Sequence, residues 1–82
     1  VKPNIKTQFD INFQKSIQTS IDIWEKALKE HKSNVEDTRI NDKIAVGLHT
    51  NCAYAYMFTQ NWIKSQEHIN KANQLKVKYR WL

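Results

Sequence analysis

One glycine and one proline in 82 residues leave this chain few ways to fold other than as helices. Sheets turn tightly, and tight turns draw on glycine at positive φ and on proline at its fixed φ. Loops that cradle phosphates need glycine as well. The expected fold class is therefore all-α, and the length allows a single domain over residues 1–82 with one core.

Apolar periodicity locates three helices. Phe9, Phe13, Ile17, Ile21, Trp24 and Leu28 recur at steps of four or three, the stripe of a helix over about 11–31. Asp10 or Asn12 is a candidate cap for its start, and Pro3 favours an extended lead-in. Asp22 to Lys26 and Glu25 to Lys29 form favourable i, i+4 pairs expected on its wet side. The polar stretch HKSNVEDTRIND then reads as a connection. A second helix over about 38–59 carries two stripes, Ile44-Leu48-Cys52-Ala55/Tyr56 and Val46-Ala53-Tyr54-Met57. Two stripes imply contact on two sides, so this helix is expected in the middle. Gln60-Asn61 makes a tight reversal, and Asn61 can cap a third helix over about 62–77 bearing Trp62, Ser65, Ile69, Ala72 and Leu75. In the tail KVKYRWL, Val77, Tyr79 and Trp81 also alternate as in a strand; the expectation is irregular chain beyond 77.

The segment NCAYAYMFTQNWIKSQEHINKAN carries a further pattern. Ala53 and Tyr56 on one helix are followed by Trp62 at the start of the next, then by Ser65, Ile69 and Ala72. Ser20, Trp24 and Ala27 show the same spacing 45 residues earlier. A helical pair with a short turn and small residues at its crossing resembles a tetratricopeptide repeat. The resemblance spans one full hairpin, about 46–76, and half of another, about 17–31. His49 stands where that family has tryptophan, Cys52 where it has leucine, and Lys32 and Val77 where it has the terminal proline. Its period is about 34 residues, so the first connection here is expanded.

The resemblance implies a right-handed, repeat-like arrangement acting as a non-catalytic scaffold or interaction module for a protein or peptide, with self-association as a further possibility. In the family the first helix of each pair lines a groove. That carries over to Asn51, Tyr54, Met57 and Phe58 as partner-binding residues, beside Thr50. Asn51 matches an asparagine of peptide-carboxylate-binding members, whose lysine and second asparagine are replaced by Thr50 and Tyr54. The competing reading of Tyr54, Met57 and Phe58 is burial against the first helix or the N-terminal segment. A helical-repeat hairpin and a half leaves an apolar face uncovered, so the chain is also readable as a segment of a larger repeat protein.

Chemistry is harder to find. His31, His49 and His68 show no i, i+4 pairing with one another or with Cys52. Glu67 and His68 are adjacent and point about 100° apart on a helix, so they cannot chelate one ion together. His49 and Cys52 form an i, i+3 pair that permits thiol activation, while the packing reading makes Cys52 a small residue in an apolar stripe. No paired carboxylates sit in an apolar setting. The expectation is no catalytic residue, no cofactor and no metal.

The net charge of +5 is concentrated late: residues 64 to 82 carry Lys64, Lys71, Lys76, Lys78 and Arg80 against Glu67. This supports the alternative of a small basic three-helix nucleic-acid-binding domain, with Tyr79 and Trp81 stacking on bases. Against it, Trp62 and Ile63 occupy the start of the third helix, where polar base readers belong. A solvated basic face that keeps the protein soluble is the simpler reading of the charge. No apolar run approaches about 18 residues, so no membrane span is expected. The opening VKPNIKTQF has neither an apolar leader nor an initiator methionine, which suggests a processed chain or a piece of a longer one. The compartment is left open by a single cysteine.

Overall fold

The computed structural model describes residues 7–31 and 38–80, with the side chains of His31 and Thr38 outside that description. The chain is all-α, with α1 (Gln8–His31), α2 (Thr38–Phe58) and α3 (Trp62–Tyr79). The expected lead-in around Pro3, residues 32–37 of the polar connection, and Trp81 lie outside the described residues.

Local chemistry accounts for the helix ends, and it moves two of them. α1 starts at Gln8 rather than 11 because Thr7 is the cap. The Asp10 amide donates to Thr7 Oγ1 at 3.1 Å, and the Thr7 amide donates back to Asp10 Oδ2 at 3.1 Å, a reciprocal capping box. Asp10 is thus the third residue of the helix and not its cap. α2 closes with the Asn61 amide on the Tyr56 carbonyl and the Gln60 amide on the Met57 carbonyl, at 2.8 and 3.0 Å. This Schellman pattern puts Gln60 in the left-handed region at φ 61°, where glycine is commoner. Asn61 then caps α3, its side chain accepting from the Lys64 amide at 3.2 Å. α3 runs two residues beyond the expected end because Tyr79 is anchored: its hydroxyl donates to Asp42 Oδ2 at 2.6 Å. Lys78 Nζ reaches the same oxygen at 3.2 Å. Those contacts favour the helical alternative over the strand-like one.

α2 is the middle helix. α1 and α3 both pack on it, and among the described residues no Cα of α1 lies within 8 Å of one of α3. Both neighbours run antiparallel to it. Phe13 near the start of α1 meets Phe58 at the end of α2 edge-on, with ring centroids 5.9 Å apart. Ser65 near the start of α3 donates to the Ala53 carbonyl at 2.9 Å. That bond satisfies a hydroxyl at a crossing where both Ser65 and Ala72 are buried small residues, as the spacing predicts.

Among the described residues the buried set is small. It comprises Ile21, Leu28, Cys52, Ala53, Ala55 and Ala72, with Ser65, His49 and His68 among them. The α1 stripe enters this core only in part: Phe9 is 75% exposed and Phe13 40%. α2 ends level with Phe13, so the first turns of α1 run past its cover. On α3, Trp62 is likewise exposed, while Ile69 and Leu75 are half-buried.

Candidate functional site

α2 presents two different faces. At about 100° per residue, Asn51, Tyr54, Met57 and Phe58 share one arc, and His49, Cys52 and Tyr56 share the opposite one.

The first arc holds the residues singled out from sequence, and all four are exposed. Tyr54 and Met57 line a groove of about 250 Å³ between α2 and α3, together with Thr50, Ala53, Ile69, Ala72, Asn73 and Lys76. Asn51 and Phe58 lie on the same arc outside the groove. Phe58 belongs instead to an aromatic run, packing on Phe13, whose ring stacks with Phe9 at 6.4 Å. Among the described residues Tyr54 is thus not buried against α1, and Phe58, though packed on Phe13, remains 58% exposed.

The second arc carries what the sequence did not reveal. His68 from α3 lies 95% buried over α2. Its Nε2 stands 3.1 Å from Glu25 Oε1 of α1, and its Nδ1 stands 2.7 Å from His49 Nδ1 of α2. One imidazole must donate and the other accept in that last contact. Tyr56 completes the chain by donating its hydroxyl to Glu25 Oε2 at 3.1 Å, with its ring stacked on His68 at 5.6 Å. Cys52, fully buried, brings its thiol to the same point: one ligand atom each from Glu25, Cys52 and His68 lie within 4.8 Å of one another. A cleft of about 380 Å³ lined by Glu25, Leu28, Lys29, His49, His68 and Lys71 opens onto the cluster.

Burial sets the electrostatics. It lowers the His68 pKa from the ordinary imidazole value, outweighing the opposite pull of Glu25, so the ring is held neutral. Burial first, and then the Glu25 carboxylate, push the Cys52 thiol up to about 11 and the Tyr56 phenol up to about 12. The thiol activation that the His49-Cys52 spacing permits is therefore not supplied: Cys52 is a protonated thiol at neutral pH. Glu25 also departs from expectation. Instead of pairing with Lys29 on the wet side, it turns inward to His68 and Tyr56, and an exposed pair on that helix joins Lys26 with Glu30 at 3.9 Å.

A signal for this cluster did exist. Ile21, Glu25 and Leu28 lie at i, i+4, i+7, and Ser65, His68 and Ala72 at i, i+3, i+7. Polar groups in those packing stripes need partners, but spacing within one helix cannot say that the partners come from another. At the basic C-terminal end, Lys78 and Tyr79 are both engaged by Asp42, and Tyr79 is half-buried. Among the described residues no helix is long and apolar enough to cross a membrane. Comparison with protein-family models, curated proteins and solved structures finds no match.

Proposed function

We propose that the chain is a non-catalytic protein-binding module, repeat-like in its α2–α3 hairpin, that takes a peptide segment through a bulky apolar side chain. The observation that carries this reading is the groove on the outward arc of α2. Tyr54 and Met57 stand at its mouth, 61% and 42% exposed, over a floor of Ala53 and Ala72. Small residues on the floor make a hollow, and large apolar ones at the rim give it walls. At about 250 Å³ it lies just below the range of small-molecule sites, and suits one or two side chains better than a cofactor. Thr50 and Asn73 offer hydrogen bonds to a partner's backbone, and Lys76 favours a carboxylate beside the anchor. Phe58, Phe13 and Phe9 extend the apolar surface along the molecule. Aromatic anchors of this kind dominate binding energy at protein interfaces.

The test is selection from a library of peptides with one aromatic or aliphatic anchor beside an acidic residue, followed by measured affinities. Tyr54→Ala should weaken the selected peptides by about 2 kcal/mol, roughly 30-fold. Peptides that bind the variant equally well would place the surface elsewhere. Sedimentation over a range of concentrations separates this reading from one in which a second copy fills the groove.

A further inference from the structure

We propose that Glu25, Cys52 and His68 form a zinc-binding centre that ties the three helices together. Each helix supplies one ligand: a carboxylate oxygen from α1, a thiolate from α2 and an imidazole nitrogen from α3. These are the three side-chain types that zinc accepts, and their mixture of hard oxygen, intermediate nitrogen and soft sulfur fits that borderline ion.

The geometry is close to what the ion requires. With bonds of about 2.0–2.3 Å, tetrahedral ligands sit about 3.3–3.8 Å apart. The three donor atoms already lie within 4.8 Å of one another, and His68 Nε2 to Glu25 Oε1 is 3.1 Å. Reaching tetrahedral spacing means closing the wider distances by about 1 Å and opening the short one slightly.

The surrounding groups act as an outer shell. Tyr56 holds Glu25 Oε2, leaving Oε1 to face His68. His49 lies 2.7 Å from the far nitrogen of His68, the place where metal-bound histidines find a hydrogen-bond partner. Without metal, His68 Nε2–H can donate to Glu25 while His49 Nδ1–H donates to His68. With metal on His68 Nε2, the His68 proton resides on Nδ1 and is accepted by His49, whose own proton moves to Nε2. The two rings keep two protons throughout, and Cys52 releases one as the sulfur–zinc bond forms. One thiolate and one carboxylate then balance the charge of the dication.

Access and need both favour the site. The cleft of about 380 Å³ that ends on Glu25, His49 and His68 gives the ion a way in and leaves room for a water as fourth ligand. Lys29 and Lys71 also line it, but both are exposed and their repulsion is screened by salt. Two histidines, a thiol and a carboxylate sit beside a core whose other buried apolar residues, among those described, are Ile21, Leu28, Ala53, Ala55 and Ala72. A polar interior is an expensive way to hold helices together unless its groups find partners, and Cys52 is a free thiol rather than half of a disulfide. The centre does not depend on the peptide-binding reading, since it occupies the opposite face of α2.

The experiment titrates the wild-type chain, first freed of metal by a chelator, with Co²⁺ and then with Zn²⁺. One ion per chain should bind, with a thiolate-to-cobalt charge-transfer band in the near ultraviolet, tetrahedral d–d bands in the visible, release of one proton, and displacement by zinc. Cys52→Ser should abolish the charge-transfer band. Tyr56→Phe should weaken binding about 10–100-fold, and His68→Gln by more than that. Circular dichroism checks that each variant is folded, and where one misfolds the wild-type titration alone decides. No binding by the wild type, binding without a charge-transfer band, or an unchanged spectrum in folded His68→Gln would each overturn the assignment.

Discussion

Glu25→Ala separates the structure from the simplest reading of the sequence. The substitution removes the acceptor shared by Tyr56 and His68, each 3.1 Å away. His68 is 95% buried, so its ring donor loses its protein acceptor and keeps at best a water in the vacated space, and a buried donor left short of partners costs about 1–3 kcal/mol. The Glu25 side chain is 34% exposed, so water can reach Tyr56 in the space vacated, and that second loss is smaller. Alanine returns a few tenths of a kcal/mol as the better helix former. The sum is a destabilisation of about 2 kcal/mol, a large part of the 5–15 kcal/mol that holds a typical domain. Urea denaturation followed by far-ultraviolet circular dichroism, in chelator-containing buffer, measures it, and an unchanged m value confirms that the unfolded state is not altered. Glu25→Gln keeps an acceptor for Tyr56 and should lose about half as much. If Glu25 instead paired with Lys29 in solvent, removing it would cost less than about 0.5 kcal/mol. A loss that small would refute the inward-turned carboxylate and the cluster built on it.

Other perturbations probe the fold around the two faces. Ala72→Leu should destabilise by about 1–3 kcal/mol by overpacking the α2–α3 crossing, and unchanged thermal unfolding would mean that the crossing tolerates bulk. Gly47→Ala should stabilise by about 0.5–1 kcal/mol, because a Cβ there meets nothing within 4 Å and alanine restricts the unfolded chain. Denaturation curves showing a loss would reveal a close approach at that turn. The Asp42 pKa is lowered by the Tyr79 hydroxyl, with help from Lys78 and against its own partial burial. A depressed carboxylate stabilises fully above its unfolded value of about 3.9, and that contribution is lost as pH falls through the lower folded value. Asp42→Asn should therefore flatten the acid limb of the stability–pH curve, and an identical limb in the variant would remove Asp42 as its source.

Apolar periodicity makes the helices legible because each buries one face. It also puts α2 in the middle, since Ile44-Leu48-Cys52 and Val46-Ala53 cannot both face one neighbour. Asn61 is readable as a cap from its position before an apolar run. Thr7 is not, because its partner Asp10 is itself a good cap residue, and the two differ only in which backbone amide each serves. The end of α3 depends on Asp42, 37 residues away from Tyr79 in sequence, and no local pattern contains that bond. The exposed arc is placed by resemblance and by helix phase. The polar cluster is only half legible for a different reason: Glu25 and His68 stand in the packing stripes of their own helices, but their chemistry arises only when three helices converge. Phe9 and Phe13 show the converse limit, because a stripe marks an apolar face without saying what covers it.

The division of α2 into a packed face and a free one is tested most directly by chemical denaturation of Tyr54→Ala beside the wild type. Tyr54 is 61% exposed at the rim of the groove, so its truncation should change the unfolding free energy by no more than about 0.5 kcal/mol. A buried aromatic cut back to alanine costs about 3–5 kcal/mol. A loss of that size would put Tyr54 in the core and leave the groove without its wall.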